Sequence, residues 1–300
     1  MHTLNKTLRL RAFAKINTGL KILGKRPDDY HEIRTIYQTI TLADRLELGT
    51  SHGRNRIVIE CNNPALPNGR GNLVYRACEQ WRRARRWHGG IQVRLEKVIP
   101  LGSGLGGAST DAAAVLLGLE RLTGDGLDFD ARHKLAAALG SDVPLFLLGG
   151  RVLGCGRGEE VYPLCDLAAR FCLVVFPGFS VSTKEAYREA GLRLTENAEP
   201  GYSGSFGTWP QFPLMSWGPA ENDFEQVVFA RWPELARLKC QLIRAGAEVA
   251  SLTGSGSAVY ALFASSRQMA LASKLIPKGW FSFRTRTLSR ADYHRKFFEQ

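Results

Sequence analysis

The stretch Pro100-Leu-Gly-Ser-Gly-Leu-Gly-Gly-Ala-Ser-Thr110 constrains this chain more than any other. Its four glycines, Gly102, Gly104, Gly106 and Gly107, remove the side chains that would keep a backbone from closing around an anion, and they let successive N–H groups point inward. Directly after it, Ala112, Val115, Leu116 and Leu119 recur at spacings of three and four, so a helix is expected from Ser109 or Thr110. The unpaired amides and positive dipole end of that helix would face the same anion. The element reads as a phosphate cradle.

Three other readings compete with it. Gly102, Gly104 and Gly107 also satisfy G-x-G-x-x-G, but a dinucleotide site wants a second strand soon after the helix, ending in an acid that holds a ribose. Here the helix runs into Thr123-Gly-Asp-Gly126 and a second helical stretch, Asp130 to Leu139. A Walker loop would need a Gly-Lys-Ser/Thr where Ala108-Ser109 stands. A glycine-rich turn with no ligand is the plain alternative.

Length and charge narrow the class. A chain of 300 residues predicts two domains or one large one. No apolar run approaches a membrane span, and the basic N-terminus lacks the apolar core of a secretion signal, so a cytoplasmic protein is expected. Six cysteines without C-x-x-C or paired-ligand spacing argue against zinc or a disulfide framework. The net charge of +12 calls for acidic partners. Its densest cluster, Arg82-Arg83-Ala84-Arg85-Arg86, sits in a helical stretch from Asn72 to Trp87 and carries no nucleic-acid-binding signature. A small polyphosphate substrate explains the sign equally well, and no nucleic acid is expected.

In chain order, Leu8 to Asn17 alternates apolar and basic residues like a half-exposed strand, with Lys15 on the face of Arg9, Arg11 and Phe13. Alone, Lys15 reads as an exposed strand lysine. A turn at Lys25 to His31 precedes strands at Ile33 to Leu42, Asp44 to Leu48, Arg56 to Cys61 and Ile91 to Ile99. In Gly140-Ser-Asp-Val-Pro144, Gly140 reads as a helix C-cap and Asp142 as a plain N-cap for Val143 to Leu148. A hairpin is expected around Gly154-Cys-Gly-Arg-Gly158. The second half gives a strand at Phe171 to Phe176 and a capping box, Ser182 to Glu185, opening a helix with Tyr187. Leu194 to Ala220 reads as a long loop or lid. Asn222 with Glu225 caps a helix that Pro233 divides from another. A strand, the turn Leu252-Thr-Gly-Ser-Gly-Ser257, a second strand, a helix from Ser266 and a final strand Phe281 to Leu288 complete a split α+β layer.

These residues resemble the GHMP kinases. Pro100 to Ala113 is similar to their phosphate-binding motif, Leu252-Thr-Gly-Ser-Gly-Ser-Ala258 to their C-terminal glycine motif, and Ala14-Lys-Ile-Asn17 to their N-terminal one. Within that group, Ala14-Lys-Ile-Asn17, Asp29-Tyr-His31, Gly140-Ser-Asp-Val-Pro144, Gly158-Glu159 and Asn222-Asp-Phe-Glu225 resemble the 4-diphosphocytidyl-2-C-methyl-D-erythritol kinase family across nearly the whole chain. The resemblance implies an α+β fold of two domains. Residues 1–167 would form an ATP-binding domain like the second domain of ribosomal protein S5, with a left-handed βαβ crossover. Residues 168–300 would form a ferredoxin-like domain whose last strand could return to the first, with substrate in the cleft between. Asp29 departs from a family glycine, Ala108 from another, and Thr110 from a serine.

The implied activity is ATP-dependent phosphorylation of the substrate's 2-hydroxyl in the methylerythritol phosphate route to isoprenoids. By the same resemblance Asp142 is the base and Lys15 its cationic neighbour. ATP phosphates fall to Pro100, Leu101, Gly102, Ser103, Gly104, Leu105, Gly106, Gly107, Ala108, Ser109 and Thr110. Mg²⁺ would bridge them, its protein ligands left open among Ser109, Thr110, Asp111 and water. Asn17, Tyr30, His31 and Tyr187 would bind substrate, with cytosine between Tyr30 and Tyr187 and His31 at its edge. A monomer or weak homodimer is expected. The alternatives are another GHMP kinase, for homoserine or mevalonate, and a non-catalytic nucleic-acid-binding protein on the same basic S5-like domain.

Overall fold

Two long antiparallel strands, β1 (Lys6–Lys25) and β2 (His31–Ser51), frame the computed structural model, which describes residues 6–51, 55–196 (side chains to 190), 216–217 and 220–299. The strands expected at Ile33 to Leu42 and Asp44 to Leu48 are one continuous element. Bulges fall between Phe13 and Lys15, Asn17 and Gly19, and Ile22 and Gly24. A bulge sets two residues against one and breaks strict alternation. Around the first bulge every residue from Ala12 to Leu20 is buried, and Lys15 is only 3% exposed. The reading of Lys15 as a surface strand lysine is therefore corrected: both faces of β1 are covered at that point.

The first sheet runs β11 (Phe298–Glu299), β1, β2, β4 (Gly90–Glu96), β3 (Ile57–Cys61), with a hairpin of β5 (Arg151–Cys155) and β6 (Glu160–Pro163) also paired to β2. Helix α1 (Leu73–Ala84) connects the parallel strands β3 and β4, burying Val74, Ala77, Cys78 and Trp81. Its arginines face outward, with Arg83 paired to Glu79 at 3.2 Å and Arg85 paired to Asp125, as a solvated helix face does. Helix α2 (Gly107–Thr123) starts two residues earlier than expected, because Gly106 in the left-handed region (φ +75°) already closes the loop. Helix α3 (Phe129–Leu139) ends on Gly140 and is followed by the short α4 (Leu145–Leu148).

The second sheet has the order β10 (Phe281–Arg286), β7 (Phe171–Phe176), β9 (Val259–Phe263), β8 (Val249–Leu252). Its helices are α5 (Thr183–Glu196), α6 (Glu225–Arg231), α7 (Pro233–Arg244) and α8 (Ser266–Ala272). Leu173, Val175, Leu235, Leu238, Leu242 and Phe263 share one core on the helix side. A separate apolar layer of Ala14, Ile16, Ile40, Cys172, Val174 and Tyr260 joins the two sheets.

Two expectations change in detail, and one falls mostly outside the described residues. Asn222 accepts the Phe224 N–H at 3.0 Å, but Glu225 turns to Ser251 Oγ, Leu252 N and Lys239 Nζ instead of completing a cap. After β10 the chain forms α9 (Arg290–Phe297), capped by Ser289 accepting from Asp292 N, and then β11 beside β1. The end of the expected strand touches the first sheet through the Ile40–Thr287 bridge and Leu288 N to Thr39 O at 2.9 Å, and α9 and β11 complete the return. The stretch read as a loop or lid, Leu194 to Ala220, lies outside the described residues except for the end of α5 and Ser216, Trp217 and Ala220. Among the described residues no helix is long and apolar enough to cross a membrane.

Candidate active site

The middle of β1, the glycine loop and the turn after β8 meet at one point. Gly104 adopts φ +81°, and a Cβ built on it would lie 2.0 Å from the Thr253 carbonyl oxygen, so this approach admits only glycine. The loop's carbonyls turn into the protein: Ser103 O accepts from Ala258 N at 3.1 Å, Leu105 O from Lys15 N at 3.0 Å, and Gly104 O from Thr253 Oγ1 at 3.2 Å. The Ser103 and Leu105 side chains are buried beneath the loop, whereas Leu101 and Ala108 are exposed and Ser109 is half-buried. Thr110 Oγ1 is buried with no protein partner.

Asn17 is the junction of this meeting. Its Oδ1 accepts from Lys15 Nζ at 2.8 Å and from Gly254 N at 2.9 Å, while its Nδ2 donates to Thr35 Oγ1 at 2.8 Å. An amide so fully engaged positions its neighbours and has little left for a substrate. Lys15 Nζ lies 3.3 Å from Asp142 Oδ2, and Tyr37 Oη donates to Asp142 Oδ1 at 3.1 Å. Burial, reinforced by the Asp142 charge, pushes the Tyr37 phenol well above its ordinary pKa, so it stays a donor. Asp142 is not the cap of α4: that position belongs to Pro144, with no side-chain cap hydrogen bond. About a third of the Asp142 side chain (31%) remains open to solvent. The result is a carboxylate held on an ammonium and a phenol, with a free side next to the glycine loop.

The expected facing pair of Tyr30 and Tyr187 is not what the structure brings together. His31 stacks on Tyr187 at 4.9 Å and 16°, and Tyr187 meets Phe224 edge-on at 4.8 Å. Tyr30 belongs to the turn before β2, and His31 opens the strand. Tyr30 is 52% exposed, with the Arg157 guanidinium over its ring. Burial, with Lys25 adding to it, lowers the His31 pKa, so near pH 7 its ring is neutral and carries one donor and one acceptor.

Behind the loop, Lys97 joins two buried carboxylates. Its Nζ lies 2.7 Å from Asp111 Oδ2 and hydrogen-bonds Asp44 Oδ2, while Asp44 Oδ1 accepts Val98 N at 2.6 Å and Ile99 N at 2.8 Å. This fixes the segment that delivers the glycine loop. Asp111, one of the open metal-ligand candidates, gives Oδ2 to Lys97 while its buried Oδ1 has no protein partner, and among the described residues no cluster of three acidic, His or Cys side chains could hold a metal. Burial pushes the Asp111 carboxyl up to about 8, with Lys97 opposing and Asp44 assisting. A folded-state pKa above the unfolded value of 3.8 means the native state holds the extra proton between these values. The stability this group contributes is present below about pH 4 and lost as pH rises through about 8. Asp111→Asn mimics the protonated carboxyl, so its Tm relative to wild type should rise between pH 6 and 9. A Tm difference that stays constant over that range would show that Asp111 is already ionised.

Tyr37 and the Asp44–Lys97 pair were not singled out in the sequence, while Thr253 and Arg157 entered only as parts of the quoted glycine motif and hairpin. A tyrosine within an apolar strand carries no local signature, and the Lys97 partners lie 53 and 14 residues away.

The comparisons with known proteins point to one family. The GHMP kinases N terminal domain matches residues 72–150 and the GHMP kinases C terminal domain residues 214–276. A 4-diphosphocytidyl-2-C-methyl-D-erythritol kinase of Solibacter usitatus is 45% identical over 95% of this chain and 90% of its own length. One from Moorella thermoacetica is 40% identical over 86% of this chain and 90% of its own. A crystal structure of 4-(cytidine 5'-diphospho)-2C-methyl-D-erythritol kinase superposes with a TM-score of 0.72 at 31% identity, covering 93% of this chain and 99% of that one. A mevalonate kinase of L. major, at 16% identity and a TM-score of 0.68 over 96% of this chain and 99% of its own, shares the fold. With motifs, fold and near full-length identity in agreement, the chain belongs to the 4-diphosphocytidyl-2-C-methyl-D-erythritol kinase family of the GHMP kinases.

Proposed function

We propose that this chain transfers the γ-phosphoryl group of ATP to the 2-hydroxyl of 4-diphosphocytidyl-2-C-methyl-D-erythritol, a step of the non-mevalonate route to isoprenoids. The observation that carries the chemistry is the Lys15–Asp142–Tyr37 cluster set beside the glycine loop. Phosphoryl transfer to an alcohol asks mainly for positioning and for stabilisation of charge on the moving group. Asp142 takes the hydroxyl proton on its open side; Lys15, 3.3 Å from it, steadies the emerging alkoxide; Tyr37 fixes the carboxylate's orientation. Asn17 acts one step back, holding Lys15 against the Gly254 backbone.

Residues 100–110 hold the ATP phosphates through backbone amides and the first turn of α2. Mg²⁺ fits as an ion carried by those phosphates: Ser109 and the unpartnered Thr110 hydroxyl are hard oxygen donors at the right turn, too few for a dedicated cage. It would neutralise phosphate charge there. The pyrimidine lies against Tyr30 beside the His31–Tyr187 stack, where the neutral His31 offers a donor and an acceptor to its edge. The same reading makes residues 1–167 the nucleotide domain and 168–300 the second, in a cytoplasmic monomer or weak homodimer that does not use nucleic acid.

Release of ADP measured with the cytidine diphosphate substrate, mevalonate and homoserine tests the assignment. The expected kcat/KM for the cytidine compound exceeds the others by at least about a thousandfold, since a site built to pair a polar edge rejects substrates lacking it. Preference for either small alcohol would overturn the assignment, and salt-sensitive RNA binding without turnover would favour the non-catalytic reading.

A further inference from the structure

The turn between β5 and β6, Gly156-Arg-Gly-Glu159, touches both ends of the site. Gly156 O accepts from Ile33 N at 2.8 Å, tying the turn to β2 just past His31. Gly158 lies so close to Tyr37 that a Cβ there would meet its Oη at 2.4 Å, and Tyr37 is the donor to Asp142. Between these glycines, Arg157 reaches back to place its Cζ 4.6 Å from the centre of the Tyr30 ring.

That guanidinium does not swing freely. Glu159 Oε1 accepts from Arg157 Nε at 3.0 Å, and Glu159 Oε2 accepts from the Arg157 backbone N–H at 2.6 Å, so one carboxylate holds both ends of the residue. Glu159 is fixed in turn through its carbonyl, 3.0 Å from His133 Nε2. Tyr30, by contrast, sits on a tight exposed turn, with Arg26 N bonded to Tyr30 O at 2.8 Å and Tyr30 N to Asp28 Oδ1 at 3.2 Å. A half-exposed ring on such a turn samples several rotamers unless something holds one face.

The geometry points to Arg157 as a positioning residue for substrate selection: it covers the rear face of Tyr30 and so presents the other face, already ordered, to the pyrimidine. This rests on the reading that the pyrimidine stacks on Tyr30. A planar guanidinium over an aromatic ring is attractive and also limits ring rotation, so less order must be imposed when the base arrives. Because Arg157 acts through Tyr30, its effect belongs to binding of the cytidine substrate and not to ATP or to the chemical step.

Four variants test this: Arg157→Ala, Arg157→Lys, Tyr30→Ala and the Arg157→Ala/Tyr30→Ala double, each followed by KM for both substrates, kcat and Tm. Arg157→Ala should raise the KM for the cytidine substrate about three- to tenfold, leaving kcat and the ATP KM within about twofold of wild type. Arg157→Lys, which keeps a cation over the ring, should recover about half of the loss or more on a logarithmic scale. In the Tyr30→Ala background, Arg157→Ala should add less than about twofold, because its target is gone. Fully additive effects would mean that Arg157 meets the substrate directly and would overturn the proposal. So would an unchanged cytidine KM together with a lower Tm in Arg157→Ala, which would make it a structural residue. An unchanged KM in Tyr30→Ala itself would overturn the pyrimidine wall and this proposal together, a result distinct from failure of Arg157 alone.

Discussion

Asp142→Asn is expected to fold like wild type and bind both substrates, yet to turn over about two to four orders of magnitude more slowly, the range for a positioned base. The substitution keeps the shape of the group. Asparagine can still accept from Lys15 through its oxygen while its nitrogen donates to Tyr37 Oη, which can serve as an acceptor. What it loses is the capacity to take a proton. Stability should change little, because Asp142 is about one-third exposed (31%) and ion pairs open to solvent contribute little. Lys15→Met should slow turnover to a similar extent. Its Asn17 partner keeps the Gly254 N–H, and Asp142 keeps Tyr37 and solvent, so neither is left stranded. If the two residues act as one unit, the double variant will be scarcely slower than either single one. Single-turnover kinetics with calorimetry of both substrates checks this. An Asp142→Asn protein retaining more than about a tenth of wild-type turnover would remove Asp142 from the chemistry.

What could be read in the sequence divides by the distance over which the physics acts. The glycine loop was legible because its chemistry is local: crowded glycines before a helical spacing say the same thing in any fold. Gly140 as a C-cap, Pro233 as a divider and Ser182 as a cap acceptor are of the same kind, and the structure places all three so. Lys15 defeated the alternation argument because the bulge after Phe13 is set by pairing with β2 and by a second layer, neither written in the strand's own residues. Asp142 had a plain capping reading that only the three-dimensional partners, Lys15 and Tyr37, remove. Glu225 looked like half of a capping box, yet a buried Ser251 hydroxyl and a Lys239 ammonium compete for it and win. Helix α9 was missed although Ser289 and Asp292 form its cap and Tyr293 and Phe297 share a face, both buried. That signal was local and available.

Gly104→Ala should be the most damaging single-methyl change in the molecule. At φ +81° any L side chain is strained, typically by about 1–2 kcal/mol. Contact is worse than strain: the new Cβ would stand 2.0 Å from the Thr253 carbonyl oxygen, 3.0 Å from its carbon and 3.3 Å from Gly256 N. These are backbone atoms of a turn that is itself pinned, with Thr253 N bonded to Ala258 O at 3.0 Å and Gly256 N to Thr253 O at 3.0 Å. The two loops must therefore part by roughly 1 Å or more, and a misplacement of that size costs about a hundredfold in rate. Parting them pulls Gly254 N away from Asn17 Oδ1, which loosens the group that holds Lys15. We expect a loss of about 3 kcal/mol in stability, a Tm lower by about 5–10 °C, and kcat/KM for ATP reduced at least about a hundredfold. Gly126→Ala is the matched control, since its Cβ would meet nothing within 4 Å and its backbone is not left-handed; its stability should stay within about 0.5 kcal/mol of wild type. Melting curves and ATP titrations of the two variants decide the matter. A folded Gly104→Ala protein with wild-type ATP affinity and turnover would show that the two glycine turns work independently, and the junction at Asn17 would then no longer explain how Lys15 is held.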